Sequence, residues 1–287
     1  MTIAELHGKL NPERPQGVSE RMEDLLTSDV FGTMKYAGWD NGFIDWIKKA
    51  EAAPVSPTAP PISSLFVNSV VSQVYYKFWP LLSNGREPDL ALLVMVEGRD
   101  YLLIVVEAKY FSGTSDWEDE EWGEQHDLTG SQLADQVLGL YKMSEKELFQ
   151  WFEIEEKGQK QLQNHEMTKI HLFITMNSVL PVLDYEKALM KMKRAWPVYS
   201  YWLSWNSLSE CIQKHLDQRI IGQKELIQDL YLLLEKKGLV PFSGFTMSPV
   251  ELSVDDASFW IESYWAFKHP DLPEYQSFLS TFYRQRG

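Results

Sequence analysis

The run Tyr101–Lys109, YLLIVVEAK, constrains this chain more than any other segment. It is apolar at both parities until its end, whereas a half-exposed strand alternates and an amphipathic helix repeats every three or four residues. The run is therefore read as a central strand buried on both faces. It ends on Glu107, Ala108 and Lys109, so two ionisable groups stand where the pattern leaves little solvent. The preceding run, Pro88–Val96, is also apolar and carries Asp89 near its start, and Glu97-Gly98-Arg99-Asp100 between them reads as a hairpin turn. A tight antiparallel hairpin brings an early residue of one strand beside a late residue of the next. Asp89 and Glu107 are therefore expected at one end of the sheet.

Burying such groups without partners costs on the order of several kcal/mol, so something must compensate them. Two carboxylates at one place suit a hard divalent cation, for which oxygen is the natural ligand. Glu107 and Lys109 are two apart and share a strand face, while Ala108 points the other way and leaves its carbonyl available to a metal. For Asp89 to share that face it must stand opposite an odd-numbered position, which requires an odd loop or a bulge near 97–100. Asp89 opposite Ala108 in an undistorted ladder would remove the basis for a shared site.

The elements around the hairpin follow from the same patterns. Ser19 is placed to cap a helix with apolar Met22, Leu25 and Leu26, interrupted or recapped at Thr27 and Ser28 before Val30, Phe31 and Met34 continue the stripe. The prolines of Ala52–Pro61 predict an extended connector. Alternation from Val71 to Pro80 predicts the first strand, completing a three-stranded meander with the hairpin. Helices are expected at Ser131–Tyr141 and Glu145–Glu156, and strands at Ile170–Met176 and Val198–Trp205. Helices at Ser207–His215 and Lys224–Lys237 follow, the last stopped by Gly238. The aromatic-rich tail after Phe242 is expected to pack back on the body.

Pro88-Asp89 followed by Glu107-Ala108-Lys109 resembles the motif of the PD-(D/E)XK nuclease superfamily, whose shared core runs helix, three-stranded meander, helix, strand. The resemblance covers about Glu20–Met176. It implies a restriction-endonuclease-like α/β core, a mixed central sheet flanked by helices, with a mostly helical C-terminal extension. It further implies that Asp89, Glu107 and the Ala108 carbonyl hold Mg²⁺ or Mn²⁺. Lys109, a compact charge whose pKa can fall on desolvation, would orient or help deprotonate the attacking water. Similar proteins often add a carboxylate from the helix before the meander, for which Glu23 is the best match and Glu20 the second. Many also carry a Gln on the helix after the motif strand, with Gln132 and Gln136 as candidates on one helix face. Tyr110, Ser112 and Ser115 of KYFSGTS are given a minor role toward phosphate.

The implied activity is metal-dependent endonucleolytic hydrolysis of phosphodiester bonds, on DNA rather than RNA, leaving 5′-phosphate and 3′-hydroxyl ends. Stand-alone nucleases of this type are common in bacterial defence, which gives the expected role. Two alternatives stand beside it. One is a non-catalytic nuclease-fold module that binds or assembles with a partner protein. The other is a plain buried ion pair of Lys109 with Glu107 or Asp89 in an unrelated α/β protein.

Charge is the fact this reading must survive. Lys and Arg number 27 against 41 Asp and Glu, a net charge of −14, which argues against coating nucleic acid by charge alone. Much of the excess is local to 115–127 (SDWEDEEWGEQHD), expected as a solvated loop, and a protein partner supplying binding charge, or a homodimer, is expected. Lys187, Lys191, Lys193 and Arg194 form a basic run suited to phosphate or to a solvated helix face. With 44% hydrophobic residues over 287 positions, the chain is expected to fold as a core of 1–205 with an extension of 206–287, or as one domain overall. Its apolar runs are too short to cross a bilayer and MTIAELHGKL lacks a leader pattern, so a cytoplasmic location without a membrane partner is expected.

Other chemistries find little footing. Cys211 is the single cysteine, excluding an internal disulfide or a thiolate zinc cage. His7, His126, His165, His171, His215 and His269 show no paired zinc spacing. Neither a phosphate-cradling glycine loop nor a Gly-x-Ser-x-Gly elbow occurs. Trp39, Trp46, Trp79, Trp117, Trp122, Trp202 and Trp205 are expected mostly in the core, with base stacking as their alternative use.

Overall fold

The computed structural model describes residues 18–40, 42–66, 71–96, 101–110, 128–163, 165–216 and 222–241. The turn at 97–100, the acidic stretch 115–127 with Trp117 and Trp122, Ser112, the side chains of Ser19 and Glu20, His7, His126, His269 and the tail after Phe242 lie outside the described residues.

Strands β1 (Glu51–Ala52), β2 (Val71–Phe78), β3 (Leu90–Val96), β4 (Tyr101–Ala108), β5 (Met167–Thr175) and β6 (Tyr199–Ser204) form one sheet. Their order is β1-β6-β5-β4-β3-β2. The meander β2-β3-β4 is antiparallel, β4, β5 and β6 run parallel, and β1 closes one edge antiparallel to β6. Among the described residues the α-helices are α1 (Val18–Ala37), α2 (Phe43–Ile47), α3 (Gln132–Lys142), α4 (Glu145–Trp151), α5 (Glu156–Leu162), α6 (Val182–Met192), α7 (Asn206–Gln213) and α8 (Gln223–Lys236). The protein is α/β, with a mixed six-stranded sheet flanked by helices.

Why β4 is apolar at both parities is now evident. Leu102, Ile104, Val106 and Ala108 join the core shared with Leu26, Val30, Trp46, Leu208 and Leu230 of α1, α2, α7 and α8. Leu103 and Val105 join the opposite core with Leu133, Val137, Tyr185 and Ala188 of α3 and α6. Each such side chain contributes about 2 kcal/mol by leaving water, so a charge at Ile104 or Leu103 would unseat a whole layer. The parallel strands need crossovers, and α3 to α5 and then α6 supply them.

Several expectations are corrected by the fold. Thr27 and Ser28 do not interrupt α1: both are buried, and the Ser28 hydroxyl donates to the Leu25 carbonyl at 3.0 Å, satisfying itself within the helix. Ala52, expected to open the connector, instead ends the short strand β1, in which Glu51 and Ala52 pair with Trp202 and Tyr201. The helix expected over Glu145–Glu156 stops at Trp151, before Glu153 takes a positive φ of 50°, and α5 begins only at Glu156; Ser144 and Glu147 open α4 with a capping box. Helix α6, not delineated from the sequence, carries Lys187 and Lys191 of the basic run and is capped by Lys193 in the left-handed conformation. Helices α7 and α8 bury Leu208, Ile212, Ile227 and Leu234 in the same core as α1. Trp39, Trp46, Trp79, Trp202, Trp205 and Cys211 are buried. Among the described residues, no helix is long and apolar enough to cross a membrane.

Candidate metal centre

Asp89 immediately precedes β3, and Glu107 is the penultimate residue of β4. The ladder pairs Leu90 with Val106 and Met95 with Tyr101, so like parities oppose and one step beyond Leu90 sets Asp89 against Glu107. Residues 96–100, an odd number, separate Met95 from Tyr101, which is the register a shared face requires. The Asp89 N–H donates to the Val106 carbonyl at 3.1 Å, which fixes this corner of the hairpin. Asp89 Oδ2 in turn accepts from the Ala108 N–H at 2.8 Å, while the Ala108 methyl is buried in the opposite core.

Helix α1 adds a third carboxylate. Glu23 lies one turn before Leu26, whose side chain is in the core, so the same helix face that packs on the sheet carries Glu23 over its end. One oxygen each of Glu23, Asp89 and Glu107 lie within 4.8 Å of one another, and all three residues are buried. Lys109 Nζ bridges the group, 2.8 Å from Glu23 Oε1 and 2.7 Å from Glu107 Oε1. The Tyr110 N–H holds the other Glu23 oxygen at 3.2 Å. The Trp205 indole N–H donates to the Lys109 carbonyl at 3.2 Å, and the Lys109 N–H to the Ile174 carbonyl at 2.7 Å, so the backbone beneath the lysine is fixed.

Gln132 and Gln136, left open as alternatives in the sequence, both reach the site. Gln132 Nε2 donates to Glu107 Oε1 at 2.6 Å, and Gln136 Nε2 donates to Oε2. They are one turn apart on α3, which is itself anchored by a buried ion pair. Asp135 Oδ2 lies 2.6 Å from Arg86 Nη2 and 3.1 Å from its Nε, a two-donor grip. Asp135 Oδ1 accepts from the Thr129 N–H at 2.6 Å and its hydroxyl at 2.8 Å. Arg86 stands three residues before Asp89, so this pair ties the lead-in of β3 to the helix that carries both glutamines. Sequence reasoning missed Arg86, Asp135 and His171. The available signal was an Asp inside an apolar helical stripe and a His inside an apolar strand.

The electrostatics are those of crowded carboxylates. Burial first, then the charges of Glu107 and Glu23, push the Asp89 carboxyl well above the usual range, while Lys109 and the Ala108 N–H pull the other way. Lys109 corrects an expectation. Burial alone would lower its pKa, but Glu107, Asp89 and Glu23 together raise it above an ordinary lysine, so the folded chain holds an ammonium there. Tyr110 is corrected too: its hydroxyl donates to the Lys237 carbonyl at 2.7 Å and is not turned toward a phosphate site.

The donor set fits a hard divalent cation. Three carboxylates converge, and Asp89 is raised by burial and then by their repulsion, the second of which a divalent charge would relieve. Among the described residues Asp89 accepts hydrogen bonds through Oδ2 alone, leaving Oδ1 for a cation. The glutamine donors hold Glu107 in one orientation, as partners of metal-binding carboxylates do.

The comparisons decide no family. The chain matches no protein-family model, no curated protein and no solved structure.

The remaining candidates fall elsewhere. Lys191 donates to the Gly130 carbonyl at 2.8 Å, in the lead-in to α3, and the Arg194 guanidinium lies 5.3 Å from the centroid of the Tyr141 ring. His165 is exposed and packs edge-on against Tyr101, and His215 pairs with Asp45 at 2.9 Å.

Proposed function

We propose that this chain is a divalent-metal-dependent phosphodiester hydrolase on a restriction-endonuclease-like core, acting as an endonuclease on DNA. The observation that carries the reading is the convergence of Glu23, Asp89 and Glu107, from α1, the lead-in to β3 and the end of β4, at one end of the sheet, with buried Lys109 in contact with Glu23 and Glu107. The order α1, β2-β3-β4, α3, β5 agrees with the core that the Pro88-Asp89…Glu107-Ala108-Lys109 resemblance implies. In this reading Asp89, Glu107 and the Ala108 carbonyl hold Mg²⁺ or Mn²⁺, and Glu23 closes the site from α1.

Bound there, the cation lowers the pKa of its water and offsets charge building on the phosphoryl group. The chain's own residues do the rest. Lys109, held as an ammonium by the carboxylates around it in the metal-free chain, is placed to donate a hydrogen bond to the attacking water and to add positive charge beside the scissile phosphate. Gln132 and Gln136 fix the Glu107 carboxylate. The net charge of −14 keeps non-specific affinity for DNA low, so a basic partner protein supplies binding charge. A role in bacterial defence is part of the same proposal.

A second reading is favoured by the direct contact of Lys109 with both Glu23 and Glu107, since a self-satisfied ion-pair cluster serves equally as the buried core of a non-catalytic assembly module. Plasmid and single-stranded substrates incubated with the chain in Mg²⁺ or Mn²⁺, beside Lys109→Ala, separate the two. Cleavage by the wild type and none by the variant is expected. No cleavage of any substrate together with no bound Mn²⁺ leaves the second reading.

A further inference from the structure

We propose that His171 is a positioning residue for the metal centre, orienting the Gln136 amide so that its N–H points at Glu107; the inference rests on the metal-centre reading above. His171 is in the middle of β5, wholly buried, with its neighbours Ile170 and Leu172 in the core on the other face. Its Nε2 lies 3.2 Å from Gln136 Oε1, and Gln136 Nε2 donates onward to Glu107 Oε2. Its Nδ1 is buried and has no hydrogen-bond partner among the described residues.

These contacts fix the proton. An ionised carboxylate only accepts, so the Gln136 amide must turn its N–H to Glu107 and its carbonyl to His171. That carbonyl only accepts, so His171 must carry its proton on Nε2. Nδ1 is then a bare lone pair, which is the end of the ring best left without a partner, since an unpaired buried N–H is the costlier orphan. Burial lowers the ring's pKa to about 4, so the neutral form this arrangement needs is the one present near neutral pH. With the proton on Nδ1 instead, Nε2 would repel the Gln136 carbonyl, the amide would flip, and Glu107 would face an oxygen. A glutamine has no internal preference between its two ends. His171 supplies it, at one remove from a metal ligand, in the way outer partners set ligand orientation.

The test uses the full chain. In the metal-free wild type, long-range ¹H–¹⁵N correlation of the imidazole is expected to show a neutral ring protonated at Nε2; a proton on Nδ1, or on both nitrogens, at neutral pH overturns the inference. Calorimetric titration with Mn²⁺ then compares wild type, His171→Leu, His171→Gln, Gln136→Leu and the double variant His171→Leu/Gln136→Leu. Loss of the donor in His171→Leu is expected to weaken Mn²⁺ binding about tenfold. His171→Gln, whose amide N–H reaches the position of Nε2, recovers most of it, and His171→Leu adds nothing once Gln136 is Leu. Unchanged affinity in His171→Leu, or losses that multiply in the double variant, contradict the proposal. If the wild type itself binds no Mn²⁺, the metal-centre reading falls on its own, and the ring tautomer still decides whether His171 orients Gln136.

Discussion

Lys109 Nζ lies 2.8 Å from Glu23 Oε1, joining the end of the central hairpin to the first helix across 86 residues of sequence. Both side chains are about nine-tenths buried, at 9% exposure each, so the contact is not a surface ion pair. Its energetic meaning depends on what else is in the site. Without a cation it offsets crowded negative charge, and with one it presents an ammonium to whatever the cation binds.

Removing that ammonium is expected to be costly to the metal-free fold. Lys109→Met leaves the carboxylates without the shared cation and should lower stability by about 3 kcal/mol, the usual cost of deleting one partner of a buried pair. Denaturant unfolding in EDTA measures it. Millimolar Mn²⁺ should restore part of the loss, whereas cleavage should not return.

Asp89→Asn should do the opposite. The amide keeps an oxygen for the Ala108 N–H and deletes a charge that Glu107 and Glu23 repel. The metal-free variant is expected to melt higher than wild type, and to lose the rise in melting temperature that Mn²⁺ gives the wild type. A variant that melts lower would show that Asp89 is not the strained member of the cluster.

Metal affinity should also report the raised pKa of Asp89. A ligand must shed its proton before it binds, so affinity is expected to fall with decreasing pH through a range above that of an ordinary aspartate. The same raised pKa means that Asp89 costs the metal-free fold stability as pH rises through it, and that this cost disappears under acid. Mn²⁺ titrations at a series of pH values test the first statement and EDTA melts the second.

His171 contributes in the other direction. Its folded pKa of about 4 lies below the ordinary 6.5, so the unfolded chain takes the proton first as pH falls. Stability from this residue is complete above 6.5 and is lost on the way down to about 4. The loss between pH 7 and 4.5 should be about 2 kcal/mol, and His171→Gln should remove that part of the pH dependence.

The hairpin and its end were legible because their signals are local. Apolarity at both parities in Tyr101–Val106 identifies a doubly buried strand, and parity alone then ties Glu107 to Lys109 and sets the register condition on Asp89 that the Leu90–Val106 pair meets. Glu23 could be singled out only as one of two helix acids, because its approach depends on how α1 lies on the sheet. The choice between Gln132 and Gln136 was not a real one: a carboxylate has two oxygens, and residues four apart on a helix can serve both. The direction of the Lys109 shift was misread because desolvation was weighed without the carboxylates, whose number at the site is a tertiary fact. Arg86, Asp135 and His171 act through contacts between 35 and 49 residues apart, which no periodicity reveals.

The most direct test is titration of the metal-free chain with Mn²⁺ followed by calorimetry, with Glu107→Gln alongside. Saturable binding to the wild type, abolished in the variant, is expected. Absence of binding to the wild type, or equal binding by both, would contradict a metal centre built on Asp89 and Glu107.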